Sequence, residues 1–467
     1  MSSSIVHLSG TRVVRAVRAG EVTASAVVEE TLARIAHTHA RLNAFTCVTA
    51  DRARAEARLV DQAVAEGRDP GPLAGLTYSV KNLFDLEGVV TVAGSKLNRQ
   101  NPPAKRDATC VARLKAAGAI CLGAVNMGEY AYDFVTQNAH DGATHNPWDL
   151  ERSAGGSSGG SGAAVAAGLG AISIGTDTNG SIRVPSSLCG VWGLKPTYSR
   201  LSRAGSFPFV DSLDTIGPLG RQVVDLAHAY DVMAGADERD PVCSGRETEA
   251  AMPNLDRDDL GVRVALLGGY FASGGAPEVH LAAQRVAAVL GADREVELPQ
   301  AALARTAAFT ITASEAGRVH LKRLKASAGE FDPASRDRLL AGALLPAAWY
   351  LKAQAFRSWW KNQVYSIFSD VDILVAPATP IAAPRLGQQT LTFAGRELPL
   401  RPYLGVFTQP LTLIGLPVVA APVHVPGALP VAVQLVGAPW SEARLLRIAR
   451  RLEREGVCSS PIAELKS

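Results

Sequence analysis

The chain lacks the features that mark nucleic-acid-binding, membrane and secreted proteins. Lys plus Arg number 47 and Asp plus Glu number 44, and no long run of one sign could follow a phosphate backbone. Pro, Gly and charged residues interrupt every apolar stretch long enough to resemble a membrane span, and the N-terminal sequence MSSSIVHLSGTRVVRAVRAG has no apolar core typical of a signal peptide. We therefore expect a soluble cytoplasmic protein that contacts neither nucleic acid nor membrane.

Cysteine is also sparse. The six cysteines include no CxxC pair, a distribution typical of reduced thiols rather than of a disulfide framework or a zinc site. His140 and His145 flank Asp141, but no third ligand has the spacing of a metal site, so we interpret them as loop residues. We expect neither a metal nor a cofactor.

Two serines in glycine-rich turns are the strongest chemical signal in the chain. Ser157 lies in GGSSGGSG and Ser181 lies 24 positions later in TDTNGS, with no histidine between them. A serine hydroxyl is a weak nucleophile at neutral pH, so acyl transfer needs a base within hydrogen-bond reach. Lys81, in the apolar context SVKNLF, is the candidate base, because burial lowers the pKa of an amine towards neutrality. A serine that lies between Lys81 and Ser181 would relay the proton.

The turn that leads to Ser181 supplies a place for developing negative charge. It is formed by Thr178, Asn179, Gly180 and Ser181. Its successive backbone N–H groups, at a tight turn that glycine permits, can form an oxyanion hole.

Two other interpretations of the glycine-rich segment remain open. GGSSGGSG could bind an anion, although it lacks the GK[ST] ending of a nucleotide-binding loop. Residues 156–160 also match the G-x-S-x-G nucleophile elbow, which requires an acid and then a histidine later in the chain. His280, His320 and His424 are the distant candidates for that histidine.

The pattern of apolar residues predicts an α/β fold. We expect helices at 23–40 and 50–66, followed by strands around LTYSVK and GAICLGAVNM that alternate with helical crossovers. Residues 225–365 are expected to be mostly helical, and residues 378–402 to form a long surface loop. GLPVVAAPV and PVAVQLVGAP predict two strands, before a closing helix at 442–455, that join the sheet begun near residue 76.

These elements predict one domain over residues 1–467 rather than a string of separate units. Its expected regions are N-terminal helices (1–70), a catalytic core with Lys81, Ser157 and Ser181 (71–225), a helical region that forms part of the pocket (226–365), and C-terminal strands with a helix that complete the sheet (366–467).

From Gly155 to Lys195 the sequence resembles the amidase signature family, whose hallmark is GGSSGGS followed by GTDTGGSIR and GLKPT. The resemblance extends to LTYSVKNLFDLEGV, NMGEYAYDF, HNPWDLERSAGG, SLDTIGPLGR and PVAVQLVGAPWSEARLL, and so covers nearly the whole chain. It implies one large mixed β-sheet covered by helices on both faces. It also implies hydrolysis of a linear amide C–N bond through an acyl-enzyme, with release of ammonia and without metal or cofactor.

The resemblance implies a role for each residue of the centre. Ser181 would be the nucleophile, Ser157 the relay serine on a cis peptide after Gly156, and Lys81 the base. The oxyanion would be bound by the N–H groups of residues 178–181. Arg183 is expected to brace the turn, against Asp177.

Asn179 stands where the family usually has glycine. This variant, together with EYAY and RLSRAGSFPFVDSLD, most resembles the branch that hydrolyses 1-carboxybiuret in cyanuric acid degradation. That branch works with a small helical partner subunit, which implies a dimer or a heterotetramer. Asp133, where glycine is usual in the branch, and Gln137, where glutamate is usual, depart from its pattern.

Substrate-binding residues are expected on the pocket wall. A carboxylated acylurea calls for a guanidinium group, and Arg357 stands where the related glutamine-hydrolysing component of tRNA-dependent amidotransferases has its carboxylate-binding arginine. Tyr130 and Tyr132 are expected to line the pocket.

The leading hypothesis is an amidohydrolase for a small carboxylated urea or amide, with 1-carboxybiuret as the expected substrate. The alternatives are the glutamine-hydrolysing component of a tRNA-dependent amidotransferase and an amidase for another small amide. That component carries an acid for the α-ammonium of glutamine near the position of Gly405, where this chain has none. A catalytically silent binding protein is disfavoured because all three reactive positions are filled.

Overall fold

An eleven-stranded mixed sheet organises the chain, which a computed structural model describes over residues 8–258 and 261–465. Residues 1–7, at the start of the segment for which we expect no signal peptide, lie outside the described residues. The described residues contain seventeen strands, of which eleven form this sheet and six form three two-stranded hairpins. In chain order they are β1 (Phe45–Val48), β2 (Thr77–Lys81), β3 (Ile120–Val125), β4 (Gln137–Asn138), β5 (Gly142–Ala143), β6 (His145–Asn146), β7 (Asp149–Ser153), β8 (Ile172–Asp177), β9 (Trp192–Lys195), β10 (Thr215–Gly220), β11 (Val264–Leu267), β12 (Arg294–Val296), β13 (Ile373–Pro377), β14 (Thr390–Phe393), β15 (Arg396–Pro399), β16 (Val418–Val423) and β17 (Val431–Gly437).

The order of strands across the large sheet is β1-β3-β2-β8-β10-β9-β16-β17-β13-β11-β12. Strands β3, β2 and β8 are mutually parallel, as are β13, β11 and β12, whereas the strands between these two groups pair antiparallel. The predicted junction of C-terminal strands with the sheet begun near residue 76 is confirmed, because β16 and β17 lie in the same sheet as β2.

Fourteen α-helices surround the sheet in the described part of the chain. They are α1 (Gly10–Arg18), α2 (Ala24–Leu42), α3 (Ala50–Ala65), α4 (Thr109–Ala116), α5 (Gly159–Ala166), α6 (Arg183–Cys189), α7 (Val223–Met233), α8 (Pro277–Val289), α9 (Ala301–Ser327), α10 (Pro333–Ala343), α11 (Ala347–Ile367), α12 (Leu400–Tyr403), α13 (Gln409–Leu413) and α14 (Glu442–Arg454). Within residues 8–258 and 261–465, no helix combines the length and the apolar character that crossing a membrane requires.

Capping side chains set the start of several helices. Ser9 accepts a hydrogen bond from the Arg12 N–H at the start of α1, and Thr23 does the same for the Ala26 N–H at the start of α2. Helix α2 ends at Leu42 and is capped by Asn43, which adopts the left-handed conformation common at helix C-termini. The predicted helices at 23–40, 50–66 and 442–455 therefore have close counterparts in α2, α3 and α14. Helix α1 also lies in the N-terminal region expected to be helical, whereas β1 was not expected.

Helices cover both faces of the sheet, as expected. Successive side chains of a strand point to opposite faces, and in β3 they enter two different apolar cores. Ile120 and Leu122 pack with residues of α2, α3 and α5, whereas Cys121 packs in the core that includes α4 and α7.

The segment 378–402 differs from the long surface loop that its composition predicts. It contains the antiparallel hairpin of β14 and β15 and leads into α12, and Ala378, Thr379 and Ala383 within it are buried. Proline and turn formers mark the bends of this segment, but its alternating residues still pair as strands. Its end lies against the cavity described below.

The parallel pairing of β2 with β8 positions the candidate site. Val80 is in register with Ile174, so the carboxyl ends of both strands reach the same edge of the sheet. Lys81 is the last residue of β2, as predicted, and Ser181 follows β8 in the turn before α6. Clefts outside the carboxyl ends of strands are common ligand sites in α/β sheets.

Candidate active site

Lys81 lies at the centre of a buried group of hydroxyls. Its Nζ is 2.8 Å from Ser157 Oγ and 2.8 Å from Thr176 Oγ1, to both of which it donates hydrogen bonds. Lys81 and Ser157 are completely buried, and Thr176 is 6% exposed. The sequence predicted the contact between Lys81 and a serine, whereas Thr176 was not expected in the group.

Burial lowers the pKa of Lys81 to about 7 because the ammonium form loses its hydration, even though the carboxylates of Asp214 and Asp177 favour that form. Near neutral pH a substantial fraction of the side chain is then an uncharged amine. Such an amine has a lone pair, and the contact with Ser157 can reverse, so that the hydroxyl donates its proton to Nζ. The geometry therefore supports a general base.

Ser157 is held in a loop between β7 and α5 that packs tightly against the segment 126–136. The peptide bond between Gly156 and Ser157 is cis. The Ser157 carbonyl accepts hydrogen bonds from the Gly128 N–H and from Thr136 Oγ1. A Cβ at Gly156 would lie 2.7 Å from the Val135 nitrogen, so only glycine lets the two backbones approach this closely.

A carboxylate and a guanidinium fix the turn that carries Ser181. Asp177 accepts hydrogen bonds from the backbone N–H groups of Gly180 at 2.7 Å and Ile182 at 3.2 Å. Arg183 Nε and Nη2 each donate to Asp177 at 2.9 Å, in a fully buried bidentate pair. Burial raises the pKa of Asp177, but the charge and hydrogen bonds of Arg183, together with the charge of Lys195 and the Ile182 N–H, outweigh it and leave that pKa below its usual value. The pair locks the conformation of the turn.

The four N–H groups predicted for the oxyanion hole are not equivalent. That of Gly180 is donated to Asp177, so it supports the turn instead of facing a ligand. Gly180 has φ +136°, and a Cβ there would lie 2.3 Å from Thr408 Oγ1, which explains the glycine. Of the four predicted groups, the N–H groups of Thr178, Asn179 and Ser181 therefore stay candidates for the oxyanion hole.

A small cavity lies beside Ser181. Its lining combines polar side chains with aromatic ones: Ala131, Tyr132, Asp133, Phe134, Thr178, Asn179, Ser181, Phe209, Phe309, Thr312, Arg338, Pro402 and Gln409. Asp133, one of the two departures noted in the sequence, forms an ion pair with Arg401 of α12 at 3.2 Å. The other, Gln137, accepts a hydrogen bond from the Gly387 N–H at 3.2 Å. Both departures therefore contact the segment 378–402.

The two predicted substrate-binding residues lie outside this lining. Arg357 of α11 donates to the Ser212 carbonyl at 2.9 Å, because its helix packs against that segment and not against the cavity. Tyr130 is 1% exposed, with its ring centroid 4.1 Å from that of His320 and its hydroxyl donating to Asn98 at 3.3 Å. Tyr132, the other predicted tyrosine, does line the cavity.

Arg338 is the cavity guanidinium that sequence reasoning missed. It lies on α10, half-buried, with its guanidinium carbon 4.2 Å from the Tyr132 ring centroid. Its Nε donates to the Ala334 carbonyl at 2.8 Å and its Nη2 to the Tyr132 carbonyl. These bonds orient the guanidinium and use two of its five donors. No local sequence signal distinguishes Arg338 from the exposed arginines of neighbouring helices.

Histidines do not complete the site. His280, His320 and His424 are absent from the lining of the Ser181 cavity, and His424 hydrogen bonds to the Gly190 carbonyl at 3.1 Å. The G-x-S-x-G interpretation therefore has no histidine in place.

His140 contacts Glu129 at 3.1 Å and His145 contacts the Leu150 carbonyl at 2.6 Å. Over the described ranges, no cluster of three or more His, Cys, Asp or Glu residues could hold a metal ion.

Comparison with known proteins identifies relatives along nearly the whole chain. The family model described as Amidase matches residues 26–446. AtzE, the 1-carboxybiuret hydrolase component of Pseudomonas sp. (strain ADP), is 51% identical over 448 residues, which cover 95% of this chain and 98% of the relative. The GatA-type component of glutamyl-tRNA(Gln) amidotransferase from Roseiflexus sp. (strain RS-1) is 38% identical, with 93% of each chain covered.

Two solved structures are similar to this chain over nearly its whole length. One, from work on a vestigial protein complex that reveals the evolutionary origins of an s-triazine catabolic enzyme, has a TM-score of 0.96 and 49% identity, covering 98% of this chain and 100% of that chain. A second, 6-aminohexanoate cyclic dimer hydrolase complexed with substrate, has a TM-score of 0.86 and 27% identity, covering 98% of this chain and 100% of that chain.

Proposed function

The chain belongs to the amidase family and is an amidohydrolase that acts on C–N bonds, and from this premise we propose that it hydrolyses 1-carboxybiuret with release of ammonia. The observation that carries the proposal is the buried contact of Lys81 Nζ with Ser157 Oγ. A cavity lined by both Ser181 and Arg338 supports it. This arrangement combines a base, a candidate nucleophile and a guanidinium that suits a carboxylated substrate. The identity to the carboxybiuret hydrolase component supports the choice of substrate.

The proposed reaction starts with proton transfer along the two serines. Uncharged Lys81 accepts the proton of Ser157, which accepts that of Ser181, and Ser181 Oγ attacks the carbonyl carbon of the terminal carbamoyl group. The resulting oxyanion is bound by the N–H groups of Thr178, Asn179 and Ser181. When the C–N bond breaks, Ser157 returns a proton to the leaving nitrogen, and ammonia departs.

The second half of the reaction releases the acid. Water attacks the Ser181 ester and gives up a proton towards Ser157 and Lys81, and Ser181 regains its own proton as the acyl group leaves. Each proton taken in a step is returned in the next, so the enzyme ends in its starting state. The chain's own residues hold and move every proton in this scheme.

The substrate carboxylate is assigned to Arg338. Its guanidinium lies on the wall of the Ser181 cavity, whereas Arg357 lies on the Ser212 side of α11. We expect Arg338→Gln to raise the KM for carboxybiuret about tenfold to hundredfold, because a charge-assisted bidentate contact is lost. Arg357→Gln is expected to have a smaller effect. The reverse order in steady-state kinetics would restore Arg357 as the carboxylate residue.

Glutamine hydrolysis for a tRNA amidotransferase is the competing function, favoured by the 38% identity to the glutamyl-tRNA(Gln) amidotransferase component. The position of Gly405 argues against it. A Cβ at Gly405 would lie 2.6 Å from the Phe134 ring and 3.2 Å from Gln409 Cδ, so an acidic side chain for an α-ammonium has no room. An assay with glutamine is expected to give no Ser181-dependent ammonia.

The assembly is proposed by analogy. A structure with a TM-score of 0.96 comes from work on a protein complex, and on that basis we expect this chain to form a dimer or heterotetramer with a small helical partner subunit. Mass measurement of the protein purified from its native host tests this. A mass equal to one 48.9 kDa chain would contradict it.

Ammonia release tests the proposed function directly. Wild-type protein, Ser181→Ala and a matched control, Ser161→Ala, are assayed with 1-carboxybiuret. Ser161 is a buried serine of the same glycine-rich segment, and its hydroxyl has no hydrogen-bond partner. We expect Ser181→Ala to lose activity by about 10,000-fold and Ser161→Ala to keep it. Equal rates in all three proteins would remove Ser181 from the mechanism.

A further inference from the structure

Two side-chain amides on the wall of the Ser181 cavity each have one atom without a hydrogen-bond partner. Asn179 Oδ1 and Gln409 Nε2 are both buried and unpaired, and the residues are 7% and 0% exposed. Both residues line the same cavity as Ser181 and Arg338. Buried polar atoms are nearly always paired, so two unpaired ones on one small cavity indicate a place for a ligand.

The orientation of the Gln409 amide is fixed by its neighbour. Arg305 Nε donates to Gln409 Oε1 at 3.0 Å, and a guanidinium can only donate. The oxygen of the amide must therefore face Arg305, which leaves Nε2 as the unpaired atom. Gln409 thus offers a hydrogen-bond donor.

Asn179 is held from two sides. Its Nδ2 donates to Thr312 Oγ1 at 2.8 Å, and its backbone carbonyl accepts from Thr408 Oγ1 at 2.6 Å. These contacts leave Oδ1 as the unpaired atom, so Asn179 offers an acceptor. The two amides together present one donor and one acceptor.

A ureido group is complementary to this pair, because it carries a carbonyl acceptor beside N–H donors. We propose that Gln409 Nε2 donates to the carbonyl of a ureido group in the substrate and that Asn179 Oδ1 accepts from its N–H. The inference rests on the proposed function and specifies its substrate class: amides whose scissile carbamoyl group continues into a urea, not amides of plain alkyl acids.

The three contacts then divide the substrate between them. In 1-carboxybiuret an NH–CO–NH unit separates the terminal carbamoyl group from the carboxylate. Ser181 acts on the carbamoyl group, Arg338 binds the carboxylate, and Asn179 with Gln409 binds the unit between. A site built to bond buried polar groups rejects an analogue that lacks them, because its own groups are left unpaired.

Glutaramate, the monoamide of glutaric acid, is the matched probe. It has the same terminal carbamoyl group and carboxylate, separated by three methylenes in place of the NH–CO–NH unit. We expect wild-type kcat/KM to be at least about a hundredfold higher for carboxybiuret than for glutaramate. Gln409→Glu, which keeps the acceptor for Arg305 and removes the donor, should reduce that ratio about tenfold or more.

Two further variants sharpen the measurement. Asn179→Ala removes Oδ1 but keeps the backbone N–H, and should also lower the ratio of the two substrates. Gln354→Glu adds the same charge on α11, where Gln354 contacts Tyr350 and not the cavity, and should leave the ratio unchanged. An unchanged ratio in both Gln409→Glu and Asn179→Ala would overturn the inference.

Binding to the Ser181→Ala protein separates this inference from the proposed function. Biuret contains the same NH–CO unit, and calorimetry should show that it binds about tenfold more weakly after Gln409→Glu is added to Ser181→Ala. The binding of glutaramate should not change on this addition. If this dependence is found but no Ser181-dependent hydrolysis occurs, the proposed function fails and the amide pair stands. If hydrolysis occurs but the affinity for biuret is the same with and without Gln409→Glu, the proposed function stands and the inferred role of Asn179 and Gln409 is wrong.

Discussion

Lys81 and Lys195 are the last residues of two strands in the same sheet, β2 and β9, and both side chains are completely buried. Burial lowers the pKa of each to about 7. Their neighbours differ. Lys81 Nζ contacts the hydroxyls of Ser157 and Thr176, whereas Lys195 Nζ donates to the Pro196 carbonyl at 2.9 Å.

These different neighbours show that a neutral buried amine is not by itself enough for a general base. A hydroxyl has a proton to give, and a carbonyl has none, so only Lys81 can act on a neighbouring group as a base. A lowered pKa thus marks both lysines, and geometry selects one of them.

Removing the amine of each lysine in turn should give the largest difference in kcat. Lys81→Ala is expected to lower kcat about 10,000-fold, because the proton of Ser157 has no acceptor. Lys195→Met, which keeps the apolar stem in place, should change kcat by less than about tenfold. Ammonia release with carboxybiuret measures both, and circular dichroism checks folding. Comparable losses in two folded variants would mean that Lys195 also takes part in the reaction.

Removing the hydroxyl that distinguishes Lys81 should be nearly as damaging. Ser157→Ala leaves Lys81 without its proton donor, as Lys195 is in the wild type, and kcat should fall about 1,000-fold. The measurement is steady-state kinetics with Ser161→Ala as the control. Near wild-type activity of Ser157→Ala would show that Lys81 reaches Ser181 without a relay.

The pH dependence should report Lys81 and not Lys195. Lys81 must be uncharged to accept a proton, so kcat/KM should rise with pH, level off above about pH 7, and fall about tenfold per pH unit below it. Lys195→Met should keep the same midpoint. A midpoint that moves in Lys195→Met would contradict the assignment of this titration to Lys81.

Removing the second hydroxyl near Lys81 should have the smallest effect. Thr176→Val is nearly isosteric and removes one acceptor that orients Nζ, so kcat should fall about threefold to tenfold. Thr197→Val, close in sequence to Lys195, serves as the matched control and should leave kcat unchanged. If Thr176→Val is as inactive as Lys81→Ala, Thr176 itself carries the proton.

Local patterns sufficed to predict much of the fold. Apolar periodicity predicted α2, α3 and α14, and the placement of Lys81 at the end of β2 followed from an apolar run before it. The prediction of a loop for the segment 378–402 was wrong, because proline-rich composition describes its bends and not the pairing of β14 with β15. Strand pairing depends on a partner that composition does not reveal.

The residues around the cavity were harder to predict. Arg338 and Gln409 lie far from Ser181 in sequence, on helices whose facing side is set by packing against other helices. Tyr130 and Tyr132 are two positions apart, yet one enters an aromatic cluster and the other lines the cavity. Such a distinction depends on backbone direction at a turn, which residue type does not determine.

The proposed reactive groups follow from the order of the residues alone: glycine turns around Ser157 and Ser181, an apolar strand that ends at Lys81, and an ion pair between Asp177 and Arg183 six positions apart. These are local features, fixed by neighbours along the chain. Which guanidinium and which amides face the cavity was settled by the folded chain, because that choice depends on how separate helices pack around the end of the sheet.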